Sequence, residues 1–434
     1  MRQYEAGWNP TRKAWVTAGM GGLVIGIAAA FFFLNLATAA LPAAEPPPSK
    51  PLVEGNTRFA WDLYAQLVAK EPNSNHFFSP LSISTALAMA SAGARGETQA
   101  EMARVLHLPD QAYTAFGNLL RDIRGSGDPA KRSFTLSTAN ALWAQQGYPW
   151  RAEYKKLLQD DFGAGLFDVD FISQPEAARN SINKWVENET REKIKNLIPP
   201  GAIDPMTRAV LTNAIYFKGD WLHKFDKAKT QEQPFTRLDG TKVPVPLMYQ
   251  SLEDNGYSYT ETADLQVLDL PYAGERLSMT ILLPKRYDGL PEWEKQLDAG
   301  KLTQILGSLK RTRGGVVVYL PRFRLEMPEP YDLNGPLQAL GMKKAFREAE
   351  ADFSGMHTGP ERLFISQVLH KAFVEVNEEG TEAAAATGII FKVESAPPPP
   401  PVFRADRPFI FLIRDRQTDS ILFLGRLVNP SGVK

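Results

Sequence analysis

Asn377-Glu378-Glu379-Gly380-Thr381-Glu382-Ala383-Ala384-Ala385-Ala386-Thr387-Gly388-Ile389-Ile390-Phe391-Lys392-Val393-Glu394 is the stretch whose reading decides the fold. Gly380 supplies a pivot that can absorb a large φ/ψ change, and the small side chains from Ala383 to Ala386 let a segment slide between two strands without clashing. Helix propensity alone makes residues 381–386 a short helix. Only seven residues separate Gly380 from Gly388, too few for a stable isolated helix. The stretch therefore predicts an exposed, mobile loop, and it leads into the run Pro397-Pro398-Pro399-Pro400-Pro401.

The motifs on either side have a fixed order. His370-Lys371 precedes the alternating run 373–376, just before the loop. After the loop come Arg407-Pro408-Phe409-Ile410-Phe411-Leu412-Ile413-Arg414 and Phe423-Leu424-Gly425-Arg426-Leu427-Val428-Asn429-Pro430. Far upstream stand Asn75-His76-Phe77-Phe78-Ser79-Pro80-Leu81-Ser82-Ile83 and Leu211-Thr212-Asn213-Ala214-Ile215-Tyr216-Phe217-Lys218-Gly219-Asp220-Trp221. Together these motifs resemble the serpins, a family consisting mostly of suicide inhibitors of serine proteases, over roughly residues 51–434. With its N-terminal segment the chain is similar to a bacterial-type member.

The resemblance implies an α+β serpin fold with three β-sheets, about nine helices and an exposed reactive-centre loop over roughly 378–403. It implies that a protease attacks the loop and forms an acyl-enzyme, and that the freed segment inserts into the central sheet and drags the protease along. Glu378 to Glu394 is seventeen residues, which extended reach roughly 55 Å at ~3.3 Å each, about a domain diameter. By the family's usual loop length the scissile bond falls at Glu394–Ser395, with Val393 and Lys392 as alternative positions. Glu394 suits a glutamyl endopeptidase, Val393 an elastase-like enzyme, and Lys392 a trypsin- or subtilisin-like one. The proline run holds the far side of the bond extended and lengthens the spacing to Arg407-Pro408, so the three positions stay open.

By the same resemblance the hinge comprises Glu378, Glu379, Gly380, Thr381, Glu382, Ala383, Ala384, Ala385 and Ala386, with Thr381 the first side chain to enter the sheet. The absence of bulky, charged or proline residues from Ala383 to Ala386 resembles inhibitory members rather than non-inhibitory ones. Ser79, Ser82, Asn213 and His370 form the cluster implied to control sheet opening; a buried His or Asn must in any case be hydrogen-bonded. Arg322 and Glu378 form the implied latch at the top of the sheet, with Trp221 covering the same region. As a rim pair the latch would contribute only ~0–1 kcal/mol. The family reading makes the protein a monomer that meets a target serine protease. The other readings are a non-inhibitory carrier or chaperone, a cross-class inhibitor of cysteine proteases, and a hydrolase built from unrecognised residues.

Composition narrows the choice. The chain has 434 residues, 44% of them hydrophobic, a net charge of zero and no cysteine. Zero charge argues against a nucleic-acid binder that works through a global basic field. Without Cys there are no disulfides, no thiol nucleophile and no Cys metal site. No Gly-x-Ser-x-Gly turn, His-Glu-x-x-His helix, phosphate loop or dinucleotide fingerprint occurs, so the chain reads as a non-enzyme that uses neither cofactor nor metal. Lys218, Lys224, Lys227 and Lys229, with Lys193 and Lys195 elsewhere, are interleaved with Asp220 and Asp226 and read as a solvated surface. Asn188-Glu189-Thr190 is a formal glycosylation sequon.

Residues 1–44 read as an export segment. Arg2, Arg12 and Lys13 precede a wholly apolar or Gly stretch over 18–34, followed by Ala37-Thr38-Ala39. That pattern fits a cleaved signal peptide or an uncleaved transmembrane anchor. Either places the globular part outside the cytoplasm, extracellular or periplasmic. Gly22 and Gly26 also fit a helix-pairing spacing. Residues 45–51 read as a stiff Pro-rich linker, and the folded domain as 52–434.

Within that domain the pattern predicts helices over 56–70, 80–93, 97–106, 179–198 and 333–340. Strands are predicted over 76–78, 209–217, 265–270, 277–283, 315–320, 373–376, 409–414 and 420–428. Helices early and strands late point to α+β rather than a doubly wound sheet.

Overall fold

Ser79 and Pro80 do what their residue types require. Ser79 has extended backbone and its hydroxyl accepts the Ser82 N–H at 3.2 Å, while Pro80 opens the helix Pro80–Gly93. Nearly every residue of that helix is buried. Gly93 at its end serves packing rather than capping, since a Cβ there would meet Met356 Cγ at 2.2 Å. The computed structural model describes residues 49–124, 134–252, 256–327, 329–380 and 399–430, all within one compact unit.

Three sheets organise the strands. The largest has seven, in the order His76–Phe78, Ile421–Leu427, Phe409–Asp415, Leu277–Pro284, Leu265–Pro271, Ser258–Glu261 and Lys310–Arg311, every neighbour antiparallel. Four of these strands, His76–Phe78, Leu277–Pro284, Phe409–Asp415 and Ile421–Leu427, are buried along their whole length, in keeping with their largely apolar sequences. A four-stranded sheet runs Val402–Arg404, Val317–Pro321, Lys242–Gln250, Gln231–Thr236. The central sheet runs Phe323–Glu326, Ala372–Val376, Ala209–Gly219, Phe134–Gln145, Gly165–Val169. Tyr331–Asp332 and Leu369–His370 form a separate two-stranded ladder.

The central sheet is covered on both faces. Ile215 and Phe217 join the main core with the helix Pro80–Gly93, whereas Ala214, Ala139, Ala141 and Trp143 pack with Ile182 and Val186 of the helix Pro175–Glu189. Together with nine α-helices among the described residues, this is the expected α+β architecture.

Several expected boundaries move. The helix read over 179–198 ends at Glu189, because Arg191 and Glu192 take positive φ and the chain folds back. Asn183 grips the returning Ile198, accepting its N–H at 2.9 Å and donating to its carbonyl at 2.8 Å. In an unbroken helix these residues would lie about 22 Å apart. The helix read from residue 56 already starts at Ser49, so the last three residues of the proposed linker are helical. In the sequon Asn188 is exposed while Thr190 is buried, its hydroxyl donating to Val186 O. Among the described residues no helix is long and apolar enough to cross a membrane. Residues 1–48, with the export segment, lie outside the described residues.

Candidate functional site: a half-paired slot and its hinge

Strand Ala209–Gly219 pairs with its two neighbours very unequally. Against Phe134–Gln145 it keeps antiparallel register from Phe134↔Gly219 to Ala144↔Ala209. Against Ala372–Val376 it runs parallel and meets only at Ala372↔Ile215 and Phe373↔Tyr216. Below those two rungs lies a cavity of about 780 Å³, lined by Leu142, Leu197, Leu211, Ile365, Val368 and His370 among others. A strand running antiparallel to both walls would satisfy the unpaired edges of each, and antiparallel pairing is the more stable kind.

His370 stands at the head of this cavity. Its Nε2 accepts the Ser79 N–H at 3.0 Å, and the Ser79 hydroxyl donates to Leu422 O at 2.6 Å. The structure thus brings His370 and Ser79 together and ties both to the seven-stranded sheet. Burial pushes the His370 pKa down to about 3, so the ring is neutral and keeps its acceptor nitrogen. Ser82 is buried beside them, and its Oγ has no hydrogen-bond partner among the described residues. Asn213 lies in the strand opposite Asn140, and its side chain falls outside the described residues.

At the top of the slot the chain reverses sharply. Asn377 and Gly380 exchange backbone hydrogen bonds of 3.0 and 3.3 Å, and Gly380 also bridges Asp220 just past the end of strand Ala209–Gly219. The chain leaving Ala372–Val376 has therefore already turned back between the two parallel strands by one rung. Only glycine fits there. Its φ is +136°, and a Cβ would lie 2.3 Å from Gly219 O and 2.5 Å from Asp220 Cα.

The flanking carboxylates are held by separate partners. Arg322 and the Thr230 hydroxyl both bond Glu378 Oε1, the latter at 2.6 Å. Burial raises the Glu378 pKa, and the bonds from Arg322 and Thr230 outweigh it, leaving the carboxyl below its ordinary value. The Glu378 carboxylate is only 2% exposed while the Arg322 side chain is 37% exposed, so the latch is a half-buried pair and not the fully exposed rim pair considered above. Trp221 is equally committed: its indole N–H donates to Asn377 O and its backbone N–H to Glu379 O, both at 2.9 Å, while its ring stacks on Tyr272 at 4.7 Å.

Two features escaped the sequence reading. Lys224 and Lys227 are not merely solvated: they pair with Glu379 at 3.0 and 2.8 Å. Lys193 and Lys195 belong to the segment over the slot, where Lys193 lies above the Phe373 ring and the Lys195 carbonyl accepts from Lys371. Thr381, Glu382, Ala383, Ala384, Ala385, Ala386, Glu394 and Ser395 all lie outside the described residues. The chain resumes at the four-stranded sheet, where Val317 N–H donates to Pro401 O and Val402–Arg404 pairs parallel with Val317–Pro321.

A sequence model of the family described as Serpin (serine protease inhibitor) matches residues 54–430. An uncharacterised serpin-like protein of Thermococcus kodakarensis is 44% identical over 387 residues, covering 88% of this chain and 86% of that protein. The leukocyte elastase inhibitor of Homo sapiens is 43% identical over 385 residues, covering 87% of this chain and 99% of the inhibitor. Neither relative is bacterial, so neither supports the bacterial-type reading. Among solved structures, uncleaved ovalbumin matches with a TM-score of 0.76 at 31% identity, covering 87% of this chain and all of that one. A cleaved serpin, Serpin 42Da, matches at 0.77 and 34%, covering 88% and 98%.

Proposed function

The chain belongs to the serpin family, and from that premise we propose that it inhibits serine proteases as a suicide substrate. The observation that carries the reading is the Gly380 rung, antiparallel to Asp220 on one wall and Asn377 on the other. Insertion continued in step from that rung would bring Ala383 opposite Phe217 and Val374, and Ala385 opposite Ile215 and Ala372. All four of these wall residues belong to the main core. On insertion, odd-numbered loop residues would turn inward, Ala383 and Ala385 meeting that core without bulk, with Ile389, Phe391 and Val393 following toward the cavity. Insertion replaces a two-rung parallel contact with two antiparallel ones. Each backbone bond nets about 1 kcal/mol, so a dozen of them with apolar burial drive the step.

The proposed reactive bond is Glu394–Ser395, with Val393 and Lys392 as alternatives; the similarity to leukocyte elastase inhibitors favours an elastase-like target for Val393. Residues 1–44 are proposed to export the domain, as a cleaved signal or as an anchor. The test mixes the protein with elastase-like, subtilisin-like and glutamyl-specific proteases on denaturing gels. A boiling-resistant adduct is expected, with the released C-terminal peptide reporting the bond by mass. Clean cleavage without adduct by all three would overturn inhibition and favour a carrier or chaperone. N-terminal sequencing of the mature protein decides between signal and anchor.

A further inference from the structure

Segment 221–230 meets the hinge with more than its tryptophan. Trp221 N–H donates to Glu379 O, and Phe225 N–H donates to Glu378 O at 2.8 Å. The side chains continue the pattern. Each oxygen of the Glu379 carboxylate has its own cation, Oε2 facing Lys224 at 3.0 Å and Oε1 facing Lys227 at 2.8 Å. That carboxylate is only 7% exposed. The adjacent Glu378 carboxylate takes Arg322 and Thr230 instead. Two neighbouring like charges are thereby given separate counterions at the very turn that aligns the loop.

The position of Glu379 explains why this matters. It is the residue before Gly380, and its carbonyl accepts from Trp221, the residue after Gly380's partner Asp220. Rotation at Glu379 would carry Gly380 off its rung. We propose that Lys224 and Lys227 are positioning residues for loop insertion, clamping the Glu379 carboxylate so that Gly380 stays registered against Asp220 as the freed loop enters. Without the clamp the loop enters later, and deacylation wins more often. The pair acts on the partition between trapping and release, not on attack at the reactive bond. This rests on the inhibitor reading above.

The test compares wild type with K227M, the double variant K224M/K227M and the double variant K224R/K227R, each checked for a cooperative melt. Lys227 is the safer single site, its side chain being 62% exposed. The moles of inhibitor consumed per protease trapped should rise by about threefold in K224M/K227M, less in K227M, and return toward wild type in K224R/K227R. The rate of loop cleavage should stay unchanged. An unchanged consumption ratio beside a trapping wild type overturns the clamp and leaves the inhibitor reading standing. A wild type that traps no protease overturns the inhibitor reading instead. The clamp's hold on the hinge is then read in uncut protein from amide hydrogen exchange at Trp221. Exchange should quicken by about threefold in the double Met variant; an unchanged rate overturns the clamp.

Discussion

Gly380 faces Asp220 across an antiparallel bridge at the point where two parallel strands of the central sheet part company. A chain reversed between parallel neighbours can only run antiparallel to both, so this one contact sets the register of whatever follows it into the slot. The positive φ and the 2.3 Å approach of a hypothetical Cβ to Gly219 O leave no room for another residue.

Gly380→Ala is therefore expected to displace the turn. The strained backbone and the clash together cost about 1–3 kcal/mol at the hinge. Adduct formation on denaturing gels should fall sharply while cleavage of the loop continues. Wild-type trapping by this variant would contradict the assigned register.

Arg322→Met leaves the Glu378 carboxylate buried with only Thr230 and backbone partners. A loss of about 1–2 kcal/mol in denaturant unfolding is expected, discounted because the Arg322 side chain is 37% exposed. The Glu378 carboxyl is held below its ordinary value. Its contribution is thus present above the ordinary carboxylate range and is lost as pH falls through the lowered folded value. Unfolding curves for wild type and R322M should accordingly converge in acid.

His370 gives a separate pH signature. Unfolded it titrates near 6.5, and folded near 3. Between those values only the unfolded chain takes up the proton, so stability falls as pH drops through this window, by up to about 1.4 kcal/mol per unit. His370→Gln keeps an acceptor for Ser79 N–H and removes the titration. The difference between wild type and H370Q, measured at about pH 7, 6 and 5, should narrow steadily toward acid. A constant difference would mean that the ring is not held neutral.

Side-chain parity in the loop supplies a fourth test. If the proposed register turns Ala385 toward the main core and Ala384 to the opposite face on insertion, Ala385→Glu should abolish trapping, and Ala384→Glu should spare most of it. Equal damage from both would refute the inward and outward assignment.

Much of this was legible before any coordinates. Ser79-Pro80 announced a capped helix, and the runs at 409–414 and 420–428 announced strands that the structure places at Phe409–Asp415 and Ile421–Leu427, whereas the loop pattern at Ala383–Ala386 lies outside the described residues. The Arg322–Glu378 pair came from family likeness and is met in the structure. What stayed hidden depends on distant partners. Phe134–Gln145 carries three Ala and an Asn, weak strand formers on their own, and is held by unbroken pairing with Ala209–Gly219. Lys224 looked solvated because its nearest charge in sequence is Asp226, whereas its partner Glu379 lies 155 residues away. The helix read to 198 failed because nothing in the local pattern reveals that Asn183 will hold Ile198.

The decisive measurement is thermal unfolding of intact protein against protein nicked once within residues 381–398. If the half-paired slot stores the driving force, filling it adds about a dozen ladder bonds, and the nicked form should melt more than about 10 °C higher. Equal or lower melting of the nicked form would mean that the slot takes up no strand, and insertion would be excluded as the working step.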